Sequence, residues 1–480
     1  MKLTFCALHS RLFAPMLQKC NQKRKLHHLP FKCRLITFQQ RTKFSSQAVT
    51  TKTRIPTTIK LNTPEFQAIF TPEIKNLIEI FEKHNHELRI VGGAVRDLLM
   101  QKQPIDFDLA SPATPEQMKR MFWDQEFSTF KDTGETHGTV SVRLYDRVNF
   151  EISTLRIFVV ENGCRSKLKF TTDWFLDASR RDLTINSMFL GFDGTVYDYF
   201  NGIGDLENRR IRFVGNAMDR IREDYLRIFR YFRFYGQIAK QSNDHDCEIL
   251  ETIKHNIGGL SVIAGERIWT EVKKILSGNF KFDLLKLMLE VGAGPYLGLP
   301  NDVNTKEFEM LRERAAHLSL HPVTIMTSLL KNEAEMLIFN QQMKLSNYEK
   351  ELGYFLINQR DIQHENPLKS YKESVVLRIE NEQHLRERIE QLLSYRGEEK
   401  LLAEFKNWET PRPPVSGHDL VARGIPFGKR MSYILMAMKK RWVQSSYTLT
   451  QRDLLDSFEE IVAQVNEQYP KPNPKEKKAK

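Results

Sequence analysis

The 480-residue sequence lacks features that mark several large classes of protein. It contains no run of about eighteen apolar residues, so no membrane-spanning helix is predicted. Its five cysteines form no CxxC pair, and their spacing supports neither a disulfide framework nor a structural zinc site. Because a chain of this length is too long to fold around a single hydrophobic core, we expect a few domains.

Acidic residues are missing from the first 64 positions, which hold 13 Lys and Arg. In this segment Lys and Arg alternate with Leu, Phe and Ile, and Ser and Thr follow, as is typical of a mitochondrial transit peptide over residues 1–50. A basic arm that stays attached and binds RNA is the alternative. We therefore expect a mitochondrial matrix location, and an additional cytoplasmic or nuclear form from a downstream start stays open.

The net charge of +12 belongs to the two ends of the chain. Residues 471–480 hold five Lys against Glu476 and are predicted to form a basic disordered tail. Residues 65–470 then hold 54 Lys and Arg against 59 Asp and Glu, which is a net charge of −5. Overall basicity is therefore no argument for nucleic-acid binding, and any RNA contact must come from local patches.

A doubled glycine in the segment LRIVGGAVRDLLMQ separates a predicted buried strand from a predicted helix. Gly92 and Gly93 let the backbone approach an anion closely, and the free N–H groups at the start of the following helix can bind that anion. An ordinary turn between strand and helix is the alternative. The arrangement predicts a site for phosphate groups.

Residues 104–110, PIDFDLA, predict a second strand, because a period of two places three apolar side chains on one face. Asp106 and Asp108 share the other face, where like charges repel unless a divalent cation lies between them and the substrate. A solvated strand edge is the alternative for such a pair. Together with the glycines, the pair predicts a site for a metal-bound triphosphate.

The spacing of these motifs, Gly-Gly and twelve residues later Asp-Phe-Asp-Leu, resembles the signature of the polymerase-beta nucleotidyltransferase superfamily. In that superfamily a third acidic residue on a neighbouring strand completes the metal site. Glu151, in the alternating segment RVNFEIS, is the candidate for this role. An ordinary exposed strand residue is the alternative.

The segment RRDLTINSMF, residues 180–189, predicts a helix that carries Asp182 and Asn186 one turn apart. An acidic and an amide side chain on one face can hold ribose hydroxyl groups, and the guanidinium group of Arg181 can bind phosphate. This segment therefore predicts a further part of a nucleotide site.

Residues 222–236, REDYLRIFRYFRFYG, predict one continuous helix with an aromatic face and a charged face. On the charged face, Arg227 can donate to the ring of cytosine or adenine, and Asp224 can accept from the exocyclic amino group of either base. Guanine and uracil present the reverse pattern and would be rejected. Arg230 extends the same face, and a plain charged surface is the alternative.

Taken in order along the chain, these motifs resemble those of class II CCA-adding tRNA nucleotidyltransferases, and the likeness covers about residues 65–300. The matching residues are Gly92-Gly93, Val95-Arg96-Asp97, Asp106 and Asp108, Arg181-Asp182 with Asn186, Glu223-Asp224 with Arg227, and Gly265-Glu266-Arg267-Ile268. The resemblance implies that Arg96 also belongs to the nucleotide site. It further implies that residues 158–174 form the flexible loop used in switching from CTP to ATP.

The resemblance implies an α+β fold, in which a small mixed-sheet head is followed by a neck, a body and a tail made of helices. We predict the head at 62–205, the neck with the nucleotide-template helix at 206–295, the body at 296–410 and the tail at 411–470. In the tail, glycine turns precede a basic helix that begins with Lys429 and Arg430. This arrangement predicts a clamp for RNA phosphates, and a plain helix connector is an equal alternative.

The activity implied is the addition of C, C and A to a tRNA that lacks its 3′ CCA end, with CTP and ATP as substrates and no nucleic-acid template. Asp106 and Asp108 are expected to bind two Mg²⁺ ions, and Glu151 to help hold the attacking hydroxyl group. Two alternatives remain: a poly(A) polymerase of the same superfamily, and a catalytically silent RNA-binding protein. The sequence carries no signal for an oligomeric state.

Overall fold

The computed structural model describes most of the chain between residues 55 and 469. The described residues are 55–104, 106–124, 128–130, 138–144, 148–161, 165–378 and 382–469. The predicted transit peptide at 1–50 and the predicted basic tail at 471–480 lie outside these residues, so both stay predictions.

The described residues fall into two compact units. The first comprises residues up to Arg227 together with Ile238–Asn256, and the second comprises Ile228–Gln237 together with the residues from Ile257 onward. A mixed sheet with helices forms the first unit, and helices form the second. The predicted fold class is therefore confirmed, while the division into head, neck, body and tail stays a prediction.

The strands belong to one large sheet and one hairpin of the first unit. They are β1 (Thr57–Lys60), β2 (Arg89–Val91), β3 (Asp108–Ser111), β4 (Ser128–Phe130), β5 (Thr139–Leu144), β6 (Val148–Thr154), β7 (Arg156–Glu161), β8 (Arg165–Phe170), β9 (Phe189–Gly191) and β10 (Thr195–Asp198). The large sheet has the order β1-β10-β9-β2-β3-β6-β5-β4, and β7 pairs with β8. Strands β3 and β6 are parallel, whereas the other described pairs are antiparallel.

Helices flank the sheet in the first unit. They are α1 (Pro64–Gln67), α2 (Pro72–Lys83), α3 (Gly93–Leu99), α4 (Pro115–Trp123), α5 (Trp174–Ser179), α6 (Gly202–Glu207) and α7 (Ala217–Glu223). Helix α8 (Arg227–Ile238) begins at Arg227 in the first unit, and its residues Ile228–Gln237 belong to the second unit. Helix α9 (Cys247–Asn256) belongs to the first unit.

The second unit continues with α10 (Gly265–Leu276), α11 (Lys281–Glu290), α12 (Thr305–Ala315), α13 (Pro322–Thr327), α14 (Glu333–Met343), α15 (Asn347–Gln359), α16 (Pro367–Leu377), α17 (Glu382–Arg396), α18 (Glu399–Asn407), α19 (Gly417–Ala422), α20 (Lys429–Gln444), α21 (Gln451–Asp456) and α22 (Phe458–Gln468). Its C-terminal helices share an apolar cluster that includes Leu420, Ile434 and Ile461. Among the described residues, no helix is long and apolar enough to cross a membrane.

Helix α5 is held against the middle of the sheet by apolar side chains. Trp174 and Ala178 of α5 pack with Val91, Ala110 and Phe189, which come from three adjacent strands. The Trp174 and Phe189 rings meet edge to face with centroids 4.9 Å apart. Burying a large apolar side chain contributes about 1.5–3 kcal/mol, so this packing fixes the residues that follow α5 over the sheet.

The second predicted strand is shorter than the sequence pattern indicates. It begins at Asp108 and not at residue 104, so Asp106 lies in a bend before the strand and not within it. The partner strand β2 limits its length. Val91, the last residue of β2, pairs with Asp108, and because the chain turns into α3 at Gly92, β2 offers no partner for the residues before Asp108. Pro104 also lacks the N–H that a ladder requires.

The predicted helix at 180–189 is wrong, since these residues form a single 3-10 turn, Thr184–Asn186. The backbone here pairs with a distant segment: Thr184 donates its N–H to the Arg212 carbonyl at 3.0 Å, and the Asp182 carbonyl accepts from Val214 at 3.0 Å. Because a helix would need these groups for its own hydrogen bonds, the non-local pairing excludes it.

The predicted continuous helix at 222–236 is also wrong, because it breaks at Asp224. Helix α7 ends at Glu223, and Asp224 has the extended angles φ −153° and ψ 105°. Its side-chain Oδ1 accepts from the Leu226 N–H at 3.1 Å, and its carbonyl accepts from the Arg227 N–H at 3.0 Å. Asp224 therefore behaves as a cap in front of α8, a role for which aspartate is well suited.

Candidate active site

Two acidic residues face each other across the parallel strands of the sheet. Asp108, the first residue of β3, is the register partner of Glu151 on β6. Both side chains are exposed, and Asp106 is exposed two residues earlier. Because paired residues of neighbouring strands project to the same face, the structure brings Asp108 and Glu151 together.

The electrostatics around Asp108 are unfavourable for its ionised form. Although Asp108 is exposed at the surface, the protein around its carboxyl group removes part of its hydration and raises its pKa above the usual value, and the negative charges of Glu151 and Asp106 raise the pKa further. The Arg181 guanidinium acts in the opposite direction but does not cancel the shift. Asp106, Asp108 and Glu151 thus form an acidic centre in which Asp108 is partly dehydrated and the charge of Arg181 opposes the charges of the two neighbouring carboxylates.

This centre fits Mg²⁺ by donor type and by charge. Among the residues that the structure describes, no three His, Cys, Asp or Glu side chains converge as a ready-made metal cluster. Mg²⁺, however, prefers oxygen ligands and is commonly held by one or two carboxylates together with water and substrate phosphates. Asp106 and Asp108 offer such oxygens, and a bound cation would favour the ionised form of Asp108, which loss of hydration and the neighbouring carboxylates disfavour.

The first glycine of the doubled pair adopts a backbone conformation closed to other residues. Gly92 precedes α3 with φ 69° and ψ −124°, a region in which a Cβ atom would clash. A Cβ placed on Gly92 would lie 3.5 Å from Arg181 Nη1, and one placed on Gly93 would lie 3.5 Å from Arg96 Nη2. The glycines therefore place backbone without a side chain beside two guanidinium groups, which suits close approach of an anion.

Three of the predicted nucleotide-site residues form a buried network beneath the glycines. Arg96 donates from Nη1 to Asn186 Oδ1 at 2.8 Å, and Asn186 donates from Nδ2 to Asp182 Oδ1 at 3.4 Å. Arg96, Asp182 and Asn186 are only 8%, 7% and 6% exposed. Their observed role is to fix one another, and direct contact with a nucleotide stays a prediction for all three.

An acidic residue that the sequence patterns did not single out anchors the basic part of the site. Asp177 on α5 is 1% exposed and accepts from Arg180 Nη2 at 2.6 Å and from Arg181 Nη2 at 3.0 Å. Although burial acts to raise the pKa of Asp177, the two arginines hold it below its usual value. Burial in turn lowers the pKa of Arg180 to about 10.

A sequence signal for this anchor exists. The spacing Asp-x-x-Arg-Arg at residues 177–181 places both arginines within reach of one carboxylate at i+3 and i+4. The predicted helix at 180–189 begins with these two arginines, so Asp177 lies outside it and the pattern spans its boundary.

The predicted base-reading residues lie at the junction of α7 and α8. The Arg227 side chain is 11% exposed and donates from Nη1 to the Arg220 carbonyl at 3.0 Å and to Glu223 Oε2 at 2.9 Å. Its Nη2 donates to the Arg180 carbonyl at 2.8 Å. Since a guanidinium has five N–H donors, the Nε–H and one Nη2–H of Arg227 keep no acceptor among the described residues.

The remaining predicted residues belong to the second unit. Arg230 lies on α8 with its guanidinium carbon 5.6 Å from the Phe234 ring centroid. Lys429 and Arg430 begin α20 after Gly428; Lys429 is exposed, and Arg430 Nε is buried without an acceptor among the described residues. The hairpin β7–β8 covers most of the predicted loop at 158–174, whose residues 162–164 lie outside the described part.

Comparison with known proteins identifies relatives of this chain. Residues 88–212 match the family model described as the poly A polymerase head domain. The mouse and human proteins named CCA tRNA nucleotidyltransferase 1, mitochondrial, are each 47% identical to this chain over 403 residues, which cover 83% of this chain and 92% of each relative.

Two solved structures resemble the fold. The crystal structure of the Bacillus stearothermophilus CCA-adding enzyme in complex with CTP matches with a TM-score of 0.63 at 24% identity, and the match covers 85% of this chain and 100% of that chain. The Thermotoga maritima CCA-adding enzyme complexed with tRNA matches with a TM-score of 0.58 at 18% identity over 85% of this chain and 99% of that chain. At these identities the likeness concerns the fold alone.

Proposed function

We propose that this chain, which belongs to the family of CCA tRNA nucleotidyltransferases, adds C, C and A in turn to tRNAs that lack the 3′ CCA end. The substrates are CTP and ATP, and the sequence added is selected by protein side chains without a nucleic-acid template. In each step the terminal 3′-oxygen of the tRNA bonds to the α-phosphorus, and pyrophosphate leaves with the bridging oxygen.

The pairing of Asp108 with Glu151 across parallel strands carries this proposal. Exposed carboxylates beside a bare glycine backbone and the Arg181 guanidinium combine the two things that nucleotidyl transfer needs, a cation site and a phosphate site. Asp106 and Asp108 would hold two Mg²⁺ ions, which supply charge neutralisation and a more acidic 3′-hydroxyl group when bound. Glu151 orients that hydroxyl, and Arg181 neutralises phosphate charge.

Asp224 and Arg227 are proposed to select the base. Arg227 keeps two N–H donors after its three protein contacts, which is the number that the ring edge of cytosine can accept. Its other contacts hold the guanidinium in one orientation, so the donors are positioned before the nucleotide binds. Asp224, half-exposed beside it, would accept from the exocyclic amino group.

Several further assignments rest on the family and on the sequence. Residues 1–50 are proposed to direct import into mitochondria, in keeping with the names of the mouse and human relatives. The helical regions are proposed to form the neck, body and tail in the predicted order, and Lys429 and Arg430 to bind tRNA phosphates.

Incubation of the purified protein with tRNA lacking CCA, Mg²⁺ and single or mixed nucleotides tests the activity. We expect two C additions with CTP alone and one further A addition when ATP is present. Repeated addition of A from ATP alone would instead identify the poly(A) polymerase alternative, and no incorporation under any condition would identify a silent RNA-binding protein. A tRNA that already ends in CCA serves as the control and should not be extended.

A further inference from the structure

Three arginines surround the buried carboxylate of Asp177, and one of them has no role in the site described so far. Arg156, the first residue of β7, donates its backbone N–H to Asp177 Oδ1 at 3.1 Å, and its carbonyl accepts from Arg180 Nε at 2.9 Å. The same carboxylate accepts from the side chains of Arg180 and Arg181. One negative charge therefore faces three positive charges.

The guanidinium of Arg156 is left with unmatched donors. Its Nε and Nη1 atoms are buried and have no hydrogen-bond acceptor among the described residues. Burial lowers the pKa of Arg156, and the charge of Arg181 lowers it further against the opposing effect of Asp177. Burying the donors of a charged group without an acceptor is costly, so the side chain is suited to an anion supplied from outside the protein.

A comparison with Arg89 shows that burial alone does not create this situation. Arg89 also has a buried Nη1 without an acceptor among the described residues. Its guanidinium, however, lies between two rings, 4.1 Å from the Trp174 centroid and 3.7 Å from the Tyr197 centroid. The faces of these rings stabilise its charge, and Glu87 accepts from its Nε at 2.7 Å. Among the described residues, the Arg156 guanidinium is not stacked on an aromatic ring, and no carboxylate accepts a hydrogen bond from its Nε or Nη1.

The position of the cluster indicates which part of a nucleotide would lie near Arg156. Arg181 joins the cluster to the nucleotide site, because its Nη1 would lie 3.5 Å from a Cβ on Gly92 and its positive charge acts on the Asp108 carboxyl group, opposing the rise in its pKa. If the α-phosphate reacts beside Asp108, the negative groups that extend from it are the β- and γ-phosphates. These groups leave together as pyrophosphate.

We propose that Arg156 binds the pyrophosphate part of the nucleoside triphosphate, donating hydrogen bonds from its unpartnered nitrogens to phosphate oxygens. This assignment rests on the proposed function, since it takes the nucleotide to be the substrate. Arg156 then acts before the reaction by orienting the triphosphate and after it by holding the product.

Binding measurements on the full chain test the assignment with three probes: CTP, CMP and inorganic pyrophosphate, each with Mg²⁺. We expect Arg156→Gln to weaken CTP and pyrophosphate binding by about ten- to a hundred-fold, the range for hydrogen bonds to charged groups. CMP binding should stay within about two-fold, because CMP lacks the β- and γ-phosphates. Arg156→Lys, which keeps a charge, should recover part of the loss.

Arg89→Gln is the matched control, because it removes another buried arginine of the same unit with an unmatched Nη1. It should lower the melting temperature without changing the ratio of CTP to CMP affinity. In steady state, Arg156→Gln should raise KM for CTP and raise the inhibition constant of pyrophosphate, a readout that a purely structural role would not move.

The outcomes separate this inference from the activity itself. Unchanged pyrophosphate affinity in Arg156→Gln overturns the inference, as does an equal loss for CTP and CMP. A loss confined to tRNA binding overturns it in favour of an RNA phosphodiester contact. If the wild-type protein bound pyrophosphate through Arg156 but added no CCA, the inference would stand and the proposed function would fail.

Discussion

Replacement of Asp177 by Asn tests the anchor of the basic cluster. The substitution keeps the shape of the side chain but removes the charge that accepts from Arg180 at 2.6 Å and from Arg181 at 3.0 Å. Asp177 is 1% exposed, and the two arginine side chains are 18% and 15% exposed, so the pairs are poorly screened by water. Removing one partner of a buried ion pair costs about 3–5 kcal/mol.

In a unit of this size each kcal/mol lowers the melting temperature by about 2–4 °C, so we expect a decrease of about 10 °C for Asp177→Asn. Differential scanning calorimetry at neutral pH measures it. Asp193→Asn is the control, because the Asp193 pair with Lys60 in the same unit is exposed at 61% and 65%. An exposed pair contributes at most about 1 kcal/mol, so its loss should shift the transition little.

The pH dependence of the difference between wild type and Asp177→Asn gives a second check. Because the folded protein lowers the pKa of Asp177, its stabilising effect is complete above the unfolded value of about 3.9 and disappears as the pH falls through the folded value. The difference in melting temperature should therefore be constant from about pH 8 to pH 5 and narrow below about pH 4. Equal melting temperatures for the variant and wild type at neutral pH would refute the role of Asp177 as an anchor.

Three further outcomes are expected. Asp106→Ala and Asp108→Ala should each abolish nucleotide incorporation. Since both side chains are exposed, tRNA affinity and melting temperature should stay nearly unchanged. Substantial residual activity would show that these residues do not hold the metal ions. Asp224→Asn keeps an oxygen that accepts from the Leu226 N–H and replaces the other carboxylate oxygen, an acceptor, with an NH2 donor. The kcat/KM for UTP relative to that for CTP should therefore rise about ten-fold or more. Unchanged nucleotide selectivity in this variant and in Arg227→Ala would show that the two residues form a plain charged surface. Residues 1–50 fused to a fluorescent reporter should reach mitochondria, and a diffuse cytosolic signal would contradict import.

Local sequence rules were sufficient where the site depends on single residues and short spacings. The conformation of Gly92, with φ 69° and ψ −124°, excludes other residues, so a glycine there reports a turn and a close approach directly. The positions of Asp108 and Glu151 on strands follow from the alternation of apolar residues. Their register across parallel strands could not follow from spacing, and the resemblance to the superfamily predicted only that the third acidic residue lies on a neighbouring strand.

The errors concern segments whose backbone hydrogen bonds go to distant partners. Thr184 pairs with Arg212, which removes the helix that the spacing of Asp182 and Asn186 favoured. The two side chains nevertheless meet at 3.4 Å, because a 3-10 turn brings them together as well. The break at Asp224 has a local signal, since aspartate often caps helices, but the strong aromatic period of α8 obscured it.

The contacts within the first unit also connect the parts of the site to one another. Arg227, proposed to read the base, donates to the Arg180 carbonyl at 2.8 Å, and the Arg180 side chain binds Asp177. Asp177 also binds Arg181, which lies beside Gly92 where the phosphates are proposed to bind. Loss of the Asp177 charge should therefore disturb both base selection and phosphate binding, whereas a change at Asp224 should affect selection alone. The measurements are KM for CTP and the ratio of kcat/KM for UTP to that for CTP, in both variants. If the base-reading and phosphate-binding parts were independent, Asp177→Asn would leave nucleotide selection intact, whereas a connected site predicts that selection changes.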